Sequence, residues 1–185
     1  MVRVEDIEHE EMPFAGLKVC YSGSIKGVPE AEPDFLWQLV RFIASGGADV
    51  LSEHVAARSQ QEMDEVRAMK WGMDIQEMLA QPEPWFSIRK KDTEWVDEAT
   101  HVLALVNAPS HGVGMEIERA ILKPERGLKE TPILCLIHEQ MVEKLSFMIR
   151  GVTEEEAPNF YLKTYSSLHE AKEIIYDFLT NNRTS

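Results

Sequence analysis

Residues 17–47 read LKVCYSGSIKGVPEAEPDFLWQLVRFIASGG, and the fold is decided there. The apolar run from Leu17 to Tyr21 has the length and composition of a buried strand. It breaks at Ser22-Gly23-Ser24 and crosses the turn region between Pro29 and Pro33. Phe35, Leu36, Leu39, Val40 and Ile43 then recur at helical spacing up to Gly46-Gly47. Strand, loop and helix in that order form the opening unit of an α/β protein.

The alternation continues along the chain. Asp49 to Ser52 reads as a second strand ending at Glu53-His54. Residues 57 to 86, rich in Met, Gln and Glu and carrying Trp71, Pro82, Pro84 and Trp85, read as a helical insertion over the sheet, a lid or an interface element. Ile88, Trp95, Val96 and Ala99 mark a helix face, His101 to Val106 a strand, and Val113, Ile117, Ala120 and Ile121 another helix. Ile133 to Ile137 is a strand, Met141, Leu145, Met148 and Ile149 follow at helical spacing, and Phe160 to Tyr165 is the last strand. Ser167 and Glu170 stand as a capping box ahead of the stripe Leu168, Ala171, Ile174, Ile175, Phe178 and Leu179. The prediction is a single α/β domain over residues 17–182 with a mainly parallel five-stranded sheet flanked by helices. Residues 1–16 form an acidic extension ahead of it.

A chain of 185 residues that is 44% hydrophobic and 28% charged has the composition of one soluble globular domain. Its 19 Lys and Arg against 32 Asp and Glu give a formal charge of −13, which argues against a nucleic-acid polymer as partner. A small nucleotide in a local pocket stays compatible with it. No apolar stretch has the length of a membrane span, and the acidic start MVRVEDIEHEEM is unlike a signal or transit peptide, so a cytosolic location, with nuclear access left open, is expected. Cys20 and Cys135 each lie in an apolar run and read as reduced core thiols. Neither they nor the six histidines have the spacing of metal ligands, and nothing in the sequence calls for a cofactor.

Two carboxylates fall on unexpected helix faces. At 100° per residue, with Ile88 at zero, Trp95 lies at about −20°, Ala99 at about 20° and Val96 at about 80°. Asp92 falls at about 40°, inside the apolar arc, where a bare charge is costly unless it is paired or serves chemistry. In Ser110-His111-Gly112-Val113-Gly114-Met115-Glu116 a strand passes through a short loop into a helix, the place where open α/β sheets bind ligands. With Val113 at zero, Glu116 lies at about −60°, on the edge of the buried stripe. Taken singly, it is an ordinary helix-dipole charge.

The first loop, Gly23-Ser24-Ile25-Lys26-Gly27, offers glycines, amide N–H groups, a hydroxyl and one cation, which suits a phosphate and equally suits a plain turn. Two acids and a phosphate cradle at one sheet edge suggest cleavage at the anomeric carbon of a nucleotide. There one carboxylate stabilises or attacks an oxocarbenium-like carbon and a second carboxyl protonates the departing group.

These segments, together with Leu51 to Ala56 (LSEHVA), Asp92 to Trp95, Pro109 to Glu116 (PSHGVGME), Ile133 to Leu136 and Leu145 to Gly151 (LSFMIRG), resemble the 2'-deoxynucleoside 5'-phosphate N-hydrolase family. That family is related to the nucleoside 2-deoxyribosyltransferases. The segments occur in the family's order, interrupted by residues 57–86, which look longer than its usual connection. The resemblance implies a Rossmann-like three-layer sandwich that cleaves the N-glycosidic bond of (deoxy)nucleoside 5'-monophosphates to free base and (deoxy)ribose 5-phosphate. It implies Glu116 as nucleophile, Asp92 as acid and base, and substrate contacts from Gly23, Ser24, Ile25, Lys26, Gly27, Ser110, Gly112 and Gly114. It further implies a homodimer in which Ser146 reaches the partner's site, with no metal and no cofactor.

The sequence departs from the family at Lys26, where Arg is usual, and so keeps the charge but loses the planar fork. Cys20 stands where the family has its active-site tyrosine, and Tyr21, one place later, falls on the opposite side of an unbulged strand. Cys20, Tyr21 and His54 are therefore site candidates without an assigned role. A deoxyribosyltransferase and a nucleotide-binding module that has lost the chemistry remain the alternatives.

Overall fold

A computed structural model describes residues 12–23, 34–73 and 75–182. Five strands, β1 (Lys18–Gly23), β2 (Asp49–Val50), β3 (His101–Leu105), β4 (Ile133–His138) and β5 (Phe160–Tyr165), form one sheet in the order β2-β1-β3-β4-β5, with every neighbouring pair parallel. The helices are α1 (Phe35–Ser45), α2 (Gln60–Trp71), α3 (Ile75–Leu79), α4 (Pro84–Glu98), α5 (His111–Ile121), α6 (Phe147–Arg150) and α7 (Leu168–Asn181).

The expected parallel α/β architecture is present, and its physical basis is visible strand by strand. All five residues of β3 are buried, as befits a parallel strand covered on both faces. The pleat sends Val19, Tyr21, Leu103, Leu105, Leu134 and Leu136 to one core, where α1 and α7 supply Leu39, Ile43, Ile175 and Leu179. It sends Cys20, Val102, Ala104, Ile133 and Cys135 to the other, against Trp95 and Val96 of α4 and Val113 and Ile117 of α5. Phe14, ahead of β1, is fully buried and packs edge-on against Phe42 at 5.7 Å. In this strand order the connections leaving β1 and β3 diverge, so a crevice opens beyond their carboxyl ends.

Three local expectations are corrected. β2 is two residues long, not four: Ser52 leaves the ladder to cap a short 3₁₀ turn, Glu53–Ala56. The run from Met141 to Ile149 is not one helix. A 3₁₀ turn covers Glu139–Lys144, Leu145 is extended and buried, and Ser146 caps α6 by accepting from Met148 N. In the cap of α7, Ser167 Oγ accepts from Glu170 N, but the Glu170 carboxylate accepts from Ser166 N at 2.7 Å and not from Ser167 N.

Two devices fix the positions of the elements that carry the candidate acids. Asp97 on α4 accepts from Arg119 of α5 at 2.6 and 2.9 Å and from Arg126 at 2.8 and 2.9 Å. The buried ammonium of Lys123 donates to Ala99 O at 2.9 Å, Val96 O at 3.2 Å and Thr131 Oγ1 at 2.5 Å, closing the carboxyl end of α4 onto the segment after α5. At β1, Ser52 Oγ accepts from Tyr21 N at 2.9 Å and donates to Tyr21 O at 2.6 Å, replacing the ladder that β2 is too short to continue. Ser52→Ala leaves both backbone groups of Tyr21 without that partner. It should lower stability by about 2 kcal/mol in urea denaturation with an unchanged m value.

Candidate active site

The carboxyl end of β1 faces α4 and α5 across a cavity of about 120 Å³. Its walls include Cys20 and Ser22 from β1, Ser52 and His54 after β2, Asp92 and Trp95 from α4, and Glu116 from α5. The two acids that helical geometry sets on apolar faces thus meet in one cavity.

Burial acts on both. Glu116 is pushed up to about 7, first by loss of water and further by the Asp92 charge, while the nearby Ser22 hydroxyl favours the ionised form. Asp92 is pushed up to about 6 by burial, with the Arg67 cation pulling the other way. A pair that titrates around neutrality holds both a carboxylate and a carboxylic acid near pH 6 to 7, the combination acid and nucleophilic chemistry requires. His54 is lowered to about 4 by burial and by Arg67, so its imidazole is neutral at physiological pH. The Cys20 thiol is raised to about 12, chiefly by burial and then by the Glu116 charge, and is no thiolate nucleophile.

Strand alternation separates Cys20 from Tyr21. Cys20 stands on the side of the acids; Tyr21 touches the cavity, yet its side chain belongs to the α1 and α7 core, where burial raises its hydroxyl pKa. A Cβ at Gly23 would lie 3.2 Å from Cε1 of Tyr21, so glycine keeps the strand end close to that ring. Gly23, Ser110 and Gly112 all border the cavity. Ser110 caps α5 by accepting from Val113 N at 3.4 Å, which presents the helix N-terminus to the crevice.

Gly114 and Ser146 do not reach the acids within this chain. They line a neighbouring groove of about 940 Å³ that shares Ser110 and Val113 with the cavity. Ser24, Ile25, Lys26 and Gly27 lie outside the described residues. Ser22, Ser52 and Trp95 were not singled out as site residues from the sequence. Ser22 carried a signal, being two residues beyond Cys20 and so on the same face of the strand. Among the described residues no three His, Cys, Asp or Glu side chains are grouped to hold a metal ion, and no helix is long and apolar enough to cross a membrane.

No protein-family model matches the chain. It is 34% identical over 152 residues to the 5-hydroxymethyl-dUMP N-hydrolase of Homo sapiens, covering 82% of this chain and 74% of that protein. Over 136 residues it is 32% identical to a Thermofilum pendens protein bearing the name 2'-deoxynucleoside 5'-phosphate N-hydrolase 1, covering 74% and 77%. Among solved structures, the CMP N-glycosidase BcmB of Clostridium botulinum superposes with a TM-score of 0.53 at 18% identity over 85% of this chain and 96% of that one, a likeness of fold.

The raised acids make stability depend on pH with a definite sign. Folding holds Glu116 protonated where the unfolded chain, with a pKa near 4.5, has released the proton, so its ionisation destabilises the fold as pH rises towards 7. Glu116→Gln should therefore be more stable than the wild type at pH 8, by on the order of 2 kcal/mol, and indistinguishable from it below about pH 4.5. Urea titrations at the two pH values measure the difference.

Proposed function

The chain belongs to the 2'-deoxynucleoside 5'-phosphate N-hydrolase family, and from that premise we propose that it hydrolyses the N-glycosidic bond of nucleoside 5'-monophosphates, releasing the free base and (deoxy)ribose 5-phosphate. The observation that carries the proposal is the shared cavity of Asp92 and Glu116, two half-buried carboxyls both raised towards neutral pH. In the reaction, the Glu116 carboxylate attacks C1' of the sugar as the C1'–N bond breaks. The bonding electron pair leaves with the base, and the Asp92 carboxyl supplies the proton that neutralises it. Water then attacks C1' of the glycosyl-Glu116 ester, Asp92 takes the water's proton, and the Glu116 carboxylate is released. Burial raises both carboxyls, so the pair shares a proton around neutral pH, and positive charge growing at C1' favours the Glu116 anion with the proton on Asp92.

The N-terminus of α5, with Ser110 and Gly112, is the described part of the phosphate site, and the loop Gly23 to Gly27 with Lys26 completes it in this reading. Completion by a second copy of the chain is supported by the groove beside the site. Met115, Phe147 and Met148 on its rim are 53, 83 and 82% exposed, an apolar patch of the sort that marks an interface, and Ser146 lies in the groove. In a two-fold dimer the same surface serves both chains, so Ser146 of one subunit approaches the acid cavity of the other.

Base release from purine and pyrimidine monophosphates, followed by chromatography, tests the reaction. The wild type should release base, Glu116→Ala should lose on the order of a thousandfold or more in kcat, and Asp92→Asn about a hundredfold or more. A folded wild type that releases no base from any monophosphate overturns the proposal, and a new nucleotide formed in excess acceptor base would make the enzyme a transferase. Mixing inactive Glu116→Ala with Ser146→Ala should restore activity through heterodimers that keep one intact site.

A further inference from the structure

Among the described residues, the buried side-chain polar atoms without a hydrogen-bond partner are Tyr21 Oη, Ser22 Oγ, His54 Nδ1, Arg67 Nε and Trp71 Nε1. Native proteins leave few such atoms, and each calls for a reason. Ser22 stands beside Glu116. The last three form one cluster: the His54 ring lies 5.8 Å from Trp71 and 5.4 Å from Trp95, Trp71 lies 6.1 Å from Trp95, and the Arg67 guanidinium sits over the Trp71 ring at 5.5 Å. His54 and Trp95 line the acid cavity, and the Arg67 charge reaches both His54 and Asp92.

Arg67 and Trp71 come from α2, a helix that contributes no fully buried residue to either core. Its carboxyl end is held behind His54 and Trp95, which line the site, by the aromatic contacts and by Lys70, whose ammonium lies 2.8 Å from Asp49. Burying N–H groups there without acceptors costs stability, and building the core does not require them. Both Nε of arginine and Nε1 of tryptophan can only donate, so the chemistry that satisfies them is an acceptor.

Resting on the reaction proposed above, we propose that α2 is the base-recognition element of this site, with Arg67 Nε and Trp71 Nε1 donating to an exocyclic carbonyl oxygen of the departing base. As C1'–N breaks, the electron pair that leaves with an oxo-pyrimidine spreads onto that oxygen, so both hydrogen bonds strengthen towards the transition state. Adenine carries no such oxygen and gains nothing from them. The Arg67 cation adds charge complementarity to the same group.

The test measures kcat and KM for dUMP and dAMP with the wild type, Trp71→Phe, Arg67→Met and Arg67→Lys. Trp71→Phe keeps an aromatic ring and removes only the donor, and thermal melts establish that each variant is folded. For dUMP, kcat/KM should fall about threefold to tenfold in Trp71→Phe and about tenfold to a hundredfold in Arg67→Met, with KM raised as well as kcat lowered, and with dAMP changed less than about twofold. Arg67→Lys, which keeps the charge without the Nε donor, should fall between the wild type and Arg67→Met. Equal losses for both substrates, no loss for either, or a wild type that prefers dAMP overturns the inference while leaving the reaction standing. A wild type that releases no base overturns the reaction. Calorimetric titration of dUMP into the four proteins would then still judge the base site, and equal affinities would reject it.

Discussion

The pleat of β1 is the constraint on which the site rests. The strand is hydrogen-bonded on both sides, to β2 and β3, and covered on both faces, so its side chains are divided between two cores with no freedom to exchange. Tyr21 is committed to the α1 and α7 layer. A one-residue shift that brought its ring to the acids would also move Val19 out of that layer and send Cys20 and Ser22 into it. The face that meets Glu116 is thus formed by a thiol and a hydroxyl, both small, and the cavity is the room they leave. With Cys20 and Ser22 on that face, the hydroxyl nearest Glu116 on this strand is that of Ser22.

Helix α4 shows how strongly surroundings decide what a carboxyl does. Asp97, gripped by Arg126 and Arg119, is held down to about 2 and acts as a permanent anion that ties α4 to α5. Asp92, five residues earlier on the same helix, is raised to about 6 because it is buried with only the more distant Arg67 charge to offset the loss of water. The clasp sits at one end of the α4 and α5 contact and the reactive pair at the other, with Lys123 reinforcing the clasped end. Structural charges are neutralised where the helices are fastened. Asp92 and Glu116 are left without such partners in the cavity, a stability cost of the kind that functional sites characteristically retain.

Much of this was legible in the sequence because both faces of a parallel sheet demand continuous apolar runs, and β3, β4 and the helical stripes obey that demand. Asp92 was visible for the complementary reason, since it falls inside an apolar arc, whereas Glu116 falls only on the edge of one and gained its meaning from the loop ahead of it and from the family resemblance. What could not be read depended on contacts between distant segments. Beyond Val50 the ladder gives way to the bonds of Ser52 to Tyr21, thirty-one positions away, and the run Asp49 to Ser52 contains no trace of them. The split of residues 139–150 turns on Ser146 acting as a cap, which helical periodicity does not register. Trp71 stood out as an aromatic in the 57–86 segment, but Arg67 was hidden there, since α2 has weak amphipathic character and is placed by ring contacts and not by a buried stripe.

The formal charge of −13 bears differently on the two ends of a nucleotide. Most surplus carboxylates are on the surface, where salt screens them over roughly 8 Å at physiological ionic strength, so their repulsion of a phosphate is long-ranged but weak. The N–H groups at the N-terminus of α5 would act at contact distance in the reaction proposed above, where a helix end outweighs a diffuse field. At the base end the balance reverses: near two carboxyls that must not both ionise, Arg67 is the cation whose charge reaches Asp92 and His54 together. On the proposed reading, an acidic protein accepts an anionic substrate by setting a helix N-terminus at its phosphate end and the Arg67 cation at its base end.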